Sequence, residues 1–169
     1  LITRRGALQA ILFVSATALS CGSRVAYSPP AVPAGDPTII VPAPFEETWS
    51  AVIQTFFEKN IPIKTLEKAS GILESDDLHG ELGRVCDCGS WLGMPIGGYG
   101  TYGGDAYYRY RILVEKREPD KTSLTLKSSC RGRHQGLEGD LVCQLAPAIE
   151  SGLRKAIADR VAKSAGTAR

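Results

Sequence analysis

Five cysteines carry the sharpest chemistry in this 169-residue sequence. Cys21 stands apart from the rest, at the end of an apolar run. Cys86, Cys88, Cys130 and Cys143 form a set of four. An even set of thiols in an exported chain argues for two disulfides. The single residue between Cys86 and Cys88 disfavours a bond between them, because disulfide geometry is hard to meet over so short a span. Two connectivities remain: Cys86 to Cys130 with Cys88 to Cys143, or Cys86 to Cys143 with Cys88 to Cys130. Either one ties a central loop to the end of a hairpin and the start of the last helix. A zinc site is the rival use of four thiols, but structural zinc ligands usually pair two to four residues apart. Cys86-Asp87-Cys88 is tighter than that, and Cys130 and Cys143 are too far apart. A redox-active Cys-x-Cys pair would need a strand-to-helix setting that the pattern here lacks.

Other polar groups offer less. Asp76, Asp77, His79 and Glu81 have the donor types of a divalent-metal site. A solvated loop is the expected outcome, so no metal ligand is assigned. His134 lies beside Arg131 and Arg133, and no Ser/His/Asp arrangement can be assembled around it. Gly97-Gly98-Tyr99-Gly100-Thr101-Tyr102-Gly103-Gly104 lacks the Lys-Ser/Thr of a phosphate loop. Simple disorder is the first reading of this stretch; the second is a flexible lip on which Tyr99 and Tyr102 offer partner-binding contacts, tyrosine being favoured at interfaces. No catalytic residue and no cofactor are expected.

The first twenty residues read as a cleaved signal peptide. Arg4 and Arg5 form a basic start, residues 7–18 are mostly apolar, and Ala18 and Ser20 are small. The apolar run is too short for a spanning helix, which needs about 20 apolar residues. Ala18-Leu19-Ser20-Cys21 resembles a bacterial lipobox, which makes Cys21 the expected lipidation site and the membrane an expected partner. Gly22 in place of Asp implies sorting to the outer membrane. Thr3-Arg4-Arg5-Gly6-Ala7-Leu8 also partly matches a twin-arginine signal, so two export routes stay open. Removing Arg4 and Arg5 from the 20 basic residues leaves 18 against 18 acidic ones. A neutral mature chain gives no electrostatic warrant for nucleic-acid binding, and this weighs against a base-stacking use of the Tyr/Arg alternation from Tyr107 to Arg111.

These groups need elements to hold them. Residues 21–37, rich in Pro, Ala, Ser and Gly, read as a lipid-anchored flexible tether. Residues 38–163 read as one α+β domain, and 164–169 as a disordered tail. Residues 38–41 predict a strand. Phe45, Trp49, Val52, Ile53, Phe56 and Phe57 then recur at helical spacing, with Trp49 and both later phenylalanines expected in the core. Strands follow at Ile61–Thr65 and from Ile72, and residues 76–104 read as irregular. Residues 107–117 and 122–129 form an antiparallel hairpin with Tyr108, Tyr110, Ile112 and Val114 on one face. Leu137, Leu141, Leu145, Ile149, Leu153, Ile157 and Val161 predict a last helix, split or kinked by Pro147. The sum is an antiparallel sheet with two helices packed on one face.

Four segments in this order resemble BamC-like envelope lipoproteins: Pro42-Ala43-Pro44-Phe45-Glu46-Glu47-Thr48-Trp49, Lys68-Ala69-Ser70-Gly71-Ile72-Leu73, Asp87-Cys88-Gly89 and Gly136-Leu137-Glu138. The resemblance covers roughly residues 38–160. It implies a helix-grip fold and a non-enzymatic role in the cell envelope, as a protein-binding or outer-membrane maintenance module. The expected partners are the membrane, through the N-terminal lipid, and another envelope protein. The alternative is a carrier that holds a lipid or small hydrophobic ligand between the sheet and the C-terminal helix.

Overall fold

The computed structural model describes residues 27–31, 36–97, 103–134 and 139–167. The leader, Cys21, most of the tether, Tyr99, Tyr102 and Gly136-Leu137-Glu138 lie outside them. In chain order the elements are β1 (Tyr27–Ser28), β2 (Thr38–Val41), α1 (Phe45–Glu58), β3 (Ile63–Glu67), β4 (Ile72–Ser75), β5 (Leu78–Glu81), β6 (Cys86–Asp87), β7 (Ser90–Trp91), β8 (Met94–Pro95), β9 (Gly104–Glu118), β10 (Lys121–His134), β11 (Leu141–Leu145) and α2 (Pro147–Thr167).

The antiparallel hairpin of β9 and β10 is the spine. Each long strand carries two short strands, end to end, on its other edge. β4 and β5 lie along β9, and β2 and β11 lie along β10. β3 extends the sheet beyond β4, and β6 extends it beyond β11. A separate three-stranded sheet runs β1-β7-β8.

Period-two alternation sorts the spine's side chains. Ala106, Tyr110, Ile112 and Val114 of β9 face inward with Leu124, Leu126 and Cys130 of β10, all buried. Both helices cover that inward face, giving a two-layer α+β fold. α1 buries Thr48, Trp49, Ala51, Val52, Thr55 and Phe56. α2 buries Leu153, Ile157 and Val161, spaced one helical turn apart. Asn60 ends α1 in a left-handed conformation, φ 52°. The amides of Asn60 and Ile61 then donate to the carbonyls of Phe57 and Phe56, satisfying the last turn.

Phe57 departs from the expected core: it is 84% exposed. One residue is a 100° rotation on a helix, which carries Phe57 off the stripe that buries Phe56. The expected last helix also divides. Leu141, Cys143 and Leu145 belong to a strand, and the helix begins at Pro147. A spacing of four is even, so Leu141 and Leu145 share a strand face as readily as a helix face. Pro147 opens the helix instead of kinking it, because the first turn needs no proline amide hydrogen. α2 also runs on to Thr167, into the stretch expected as a disordered tail.

The stretch 76–104 holds four short strands, β5 to β8, in place of the expected irregular loop. The tether is likewise caught early: Tyr27 and Ser28 pair with Trp91 and Ser90.

Candidate functional site

Three features of the described residues bear on function: the pair of disulfides, the open face of the sheet and a cleft beside α2.

The two disulfides join Cys86 to Cys130 and Cys88 to Cys143, the first of the two connectivities left open by spacing. Cys86 lies in β6 and Cys88 directly after it. Cys130 and Cys143 are register partners across β10 and β11, and all four cysteines are buried. Asp87 between the first two points outward, where its Oδ1 accepts from the Gly89 amide at 2.8 Å. The Tyr27 hydroxyl donates to the Cys88 carbonyl at 3.2 Å, so β1 is fastened to the same point. Gly132 provides the room. A Cβ there would meet Cys88 Sγ at 2.9 Å and Cys143 Sγ at 3.0 Å. By closing long loops, each bridge contributes roughly 2–4 kcal/mol by restricting the unfolded chain.

On the side of the sheet away from the helices, charges alternate across strands. Arg109 bonds Asp77 at 2.8 Å and reaches Glu74 at 3.6 Å. Arg111 bonds the same Glu74 at 3.1 Å. Arg131 bonds Asp77 at 2.8 Å and lies over the Tyr107 ring, 5.9 Å from its centre. Arg133 pairs with Asp140 at 3.4 Å. His79 meets Asp105 at 2.9 Å. The cluster of Asp76, Asp77, His79 and Glu81 is therefore dispersed: Asp77 serves two arginines, His79 turns to Asp105 and Glu81 pairs with Arg84. Among the described residues no group of three His, Cys, Asp or Glu side chains comes together as a metal site. The arginines of the Tyr107 to Arg111 alternation are each held by carboxylates, while Tyr108 and Tyr110 face the helices. His134 is the last residue of β10, opposite Gly104.

Beside α2, a cleft of about 430 Å³ opens between the sheet, the C-terminal end of α1 and the first turns of α2. Ile61, Leu78, Tyr108, Tyr110, Ile149 and Leu153 line its apolar part. Tyr110 packs edge-on against Phe56 and Tyr108, with ring centres 6.3 and 5.8 Å away. Burial, with Tyr108 and Glu150 adding to it, raises its phenol well above the usual range, so Tyr110 stays protonated. Glu150 itself accepts from Ser128 at 2.7 Å and from Arg154 at 2.9 Å, clamping α2 to β10. Gly152 also borders the cleft, and a side chain at that position would meet nothing within 4 Å.

The small sheet β1-β7-β8 is the element that sequence reasoning passes over. Its signal is negative: no charged residue falls between Asp87 and Asp105, or between Arg24 and Asp36. Among the described residues no helix is long and apolar enough to cross a membrane. No protein-family model matches the chain, and no curated protein matches it in sequence.

Proposed function

We infer that the chain is an exported envelope lipoprotein, held to the outer membrane by acyl chains on Cys21 and working as a non-enzymatic binding or maintenance module. The observation that carries this reading is the pair of buried disulfides. Such bonds form and persist outside the reducing cytoplasm, and here they hold together the lobe nearest the N-terminal segment. The resemblance to BamC-like lipoproteins supports the same compartment and rests on the short motifs alone. The lattice of paired charges on the open sheet face suits contact with another envelope protein, because paired side chains are already ordered and a polar surface resists non-specific association.

Intact-mass analysis of the cell-derived protein tests the anchor: an acylated cysteine at the mature N-terminus is expected, and a free thiol there overturns it. Pull-down from solubilised envelopes, with Cys21 intact and mutated, tests the binding role. Recovery of a defined envelope protein is expected, and recovery of none removes that role.

The carrier reading is favoured by one observation, the cleft between sheet and α2. Its volume of about 430 Å³ falls within the range of small-molecule sites. Native mass spectrometry of the purified protein decides between the two: a co-purifying lipid lost on Leu153→Trp speaks for a carrier.

A further inference from the structure

We propose that the β7–β8 hairpin is a lipid-inserting tip that seats the domain directly on the bilayer holding the Cys21 acyl chains. The location rests on the anchor reading above; the insertion rests on the hairpin itself.

Trp91 pairs with Met94, and Leu92 and Gly93 form the two-residue turn between them. Both turn residues have positive φ, 49° for Leu92 and 78° for Gly93. Two-residue hairpin turns with positive φ at both positions strongly favour Asn, Asp or Gly at the first. Leucine is costly there, since its Cβ crowds the backbone in the left-handed region. It gains nothing from burial in return: Leu92 is 67% exposed and Met94 57% exposed. A side chain at Gly93 would meet nothing within 4 Å, so the space beside the turn is open. An apolar residue thus occupies an exposed position in a turn that prefers a polar one.

The neighbours extend the pattern. Tyr27 pairs with Trp91, and Trp91 with Met94, which places the three side chains in one row of the small sheet; Trp91 is half-buried, with part of its ring against the core, and the exposed Tyr27 and Met94 flank it. Tyr27 is 45% exposed. Tryptophan and tyrosine beside a short apolar tip form the composition favoured at membrane–water interfaces. The charge-free stretches on either side of the hairpin and of β1 remove the groups that would resist entry into lipid.

Chain length places the tip near a bilayer. Five residues separate Tyr27 from Cys21, a distance of six residue steps. Fully extended at about 3.3–3.6 Å per step, the segment spans at most about 22 Å. β1 is hydrogen-bonded to β7, and so an acylated Cys21 keeps the small sheet close to the lipid surface. The long stand-off expected of residues 21–37 is cut short at Tyr27.

The test uses the acylated protein reconstituted into phosphatidylethanolamine–phosphatidylglycerol vesicles, with and without brominated phosphatidylcholine. Trp49 is buried in the core, so quenching by brominated chains reports on Trp91. The expected result is loss of Trp91 emission in brominated vesicles, absent in Trp91→Phe. Leu92→Asn supplies the preferred turn residue, so it should raise the melting temperature while reducing the quenching. Unquenched Trp91 in vesicle-bound, acylated protein overturns the proposal. A Trp91 shift that needs high protein concentration and no vesicles also overturns it, and assigns the tip to a second copy of the chain. If intact mass shows no acyl group, the anchor reading fails by itself. Vesicle co-sedimentation of that protein, dependent on Leu92 and Met94, then reads the tip separately: binding lost in Leu92→Asn/Met94→Ser upholds it, and no binding overturns it.

Discussion

Cys130 and Cys143 face each other across β10 and β11, yet neither is bonded to the other. Each reaches instead to the Cys86-Asp87-Cys88 segment. The crossing has a structural consequence: a direct bond would join strands already paired, whereas the observed bonds capture a separate segment and, through Tyr27, the start of the domain.

This arrangement predicts a rearranged bond when the outer partners are removed. In Cys86→Ser/Cys88→Ser, Cys130 and Cys143 are left as cross-strand neighbours at a separation that disulfide geometry accepts. They are expected to oxidise to one another, with a loss of about 2–5 kcal/mol because the β6–β8 segment is no longer tied down. Non-reducing peptide mapping reads the bond, with cleavage at Asp87 separating the neighbouring cysteines of the parent protein. Two free thiols in the double variant would show that the strands are not in the register described.

Gly132 supplies a second prediction. In Gly132→Ala the new methyl group lies within 3.0 Å of two sulfurs and 2.5 Å from Leu82 Cδ1. Leu82 can rotate, but the sulfurs are fixed by their bond. Overpacking of this kind costs about 1–3 kcal/mol. A lower melting temperature in the oxidised protein is expected, with a smaller difference between parent and variant after reduction.

How far these features can be read from sequence depends on how much periodicity each element leaves. α1 has fourteen residues and shows its stripe plainly, as does the inward set of Tyr108, Tyr110, Ile112 and Val114 on β9. β11 does not, because leucines four apart satisfy both a helix and a strand, and only tertiary pairing with β10 decides between them. β1, β7 and β8 have two residues each, too few for any period. Of the two bridges, the disulfide chemistry is legible from the even number of cysteines after Cys21, but connectivity depends on register, which composition does not carry. Tyr99, Tyr102 and Cys21 lie outside the described residues, and their roles rest on sequence alone.

Asp77, in the turn between β4 and β5, bridges Arg109 of β9 and Arg131 of β10, with one-third of its side chain exposed. Asp77→Asn is expected to cost about 0.5–1 kcal/mol, little more than an ordinary surface pair, because solvent screens the site. The loss should shrink in 1 M salt, where the Debye length falls to about 3 Å. Urea unfolding at low and high salt measures both. The same pairing predicts no mobility shift of duplex DNA by the wild-type protein at physiological salt, since the outward arginines at 109, 111, 131 and 133 each lie against a carboxylate.

Adjacent phenylalanines on α1 should behave in opposite ways. Phe56 is fully buried against Tyr110, and Phe56→Ala is expected to cost about 3–5 kcal/mol through lost contacts and a residual cavity. Phe57 is 84% exposed, and Phe57→Ala should fall within about 0.5 kcal/mol of the parent. Equal losses in urea unfolding would mean that the helix is rotated from the orientation described.

Tyr110 makes stability fall in alkali, and the sign follows from proton counting. Burial raises its pKa in the folded state, while the unfolded chain releases the proton near the usual value of about 10. Below pH 10 both states hold the proton, and Tyr110 adds no pH dependence. Above it the unfolded state binds fewer protons than the folded one, so unfolding becomes more favourable as pH rises. The window opens near pH 10 and extends upward to the raised folded-state value. Urea midpoints measured from pH 8 to pH 11 should therefore decline at the alkaline end, with the steepest part of the decline missing in Tyr110→Phe. The phenol should also resist ionisation in the native protein, leaving one fewer tyrosine titrating in the absorbance at alkaline pH until the chain unfolds. A wild-type midpoint that tracks that of Tyr110→Phe throughout would mean that the ring is more solvated than its packing against Phe56 and Tyr108 requires.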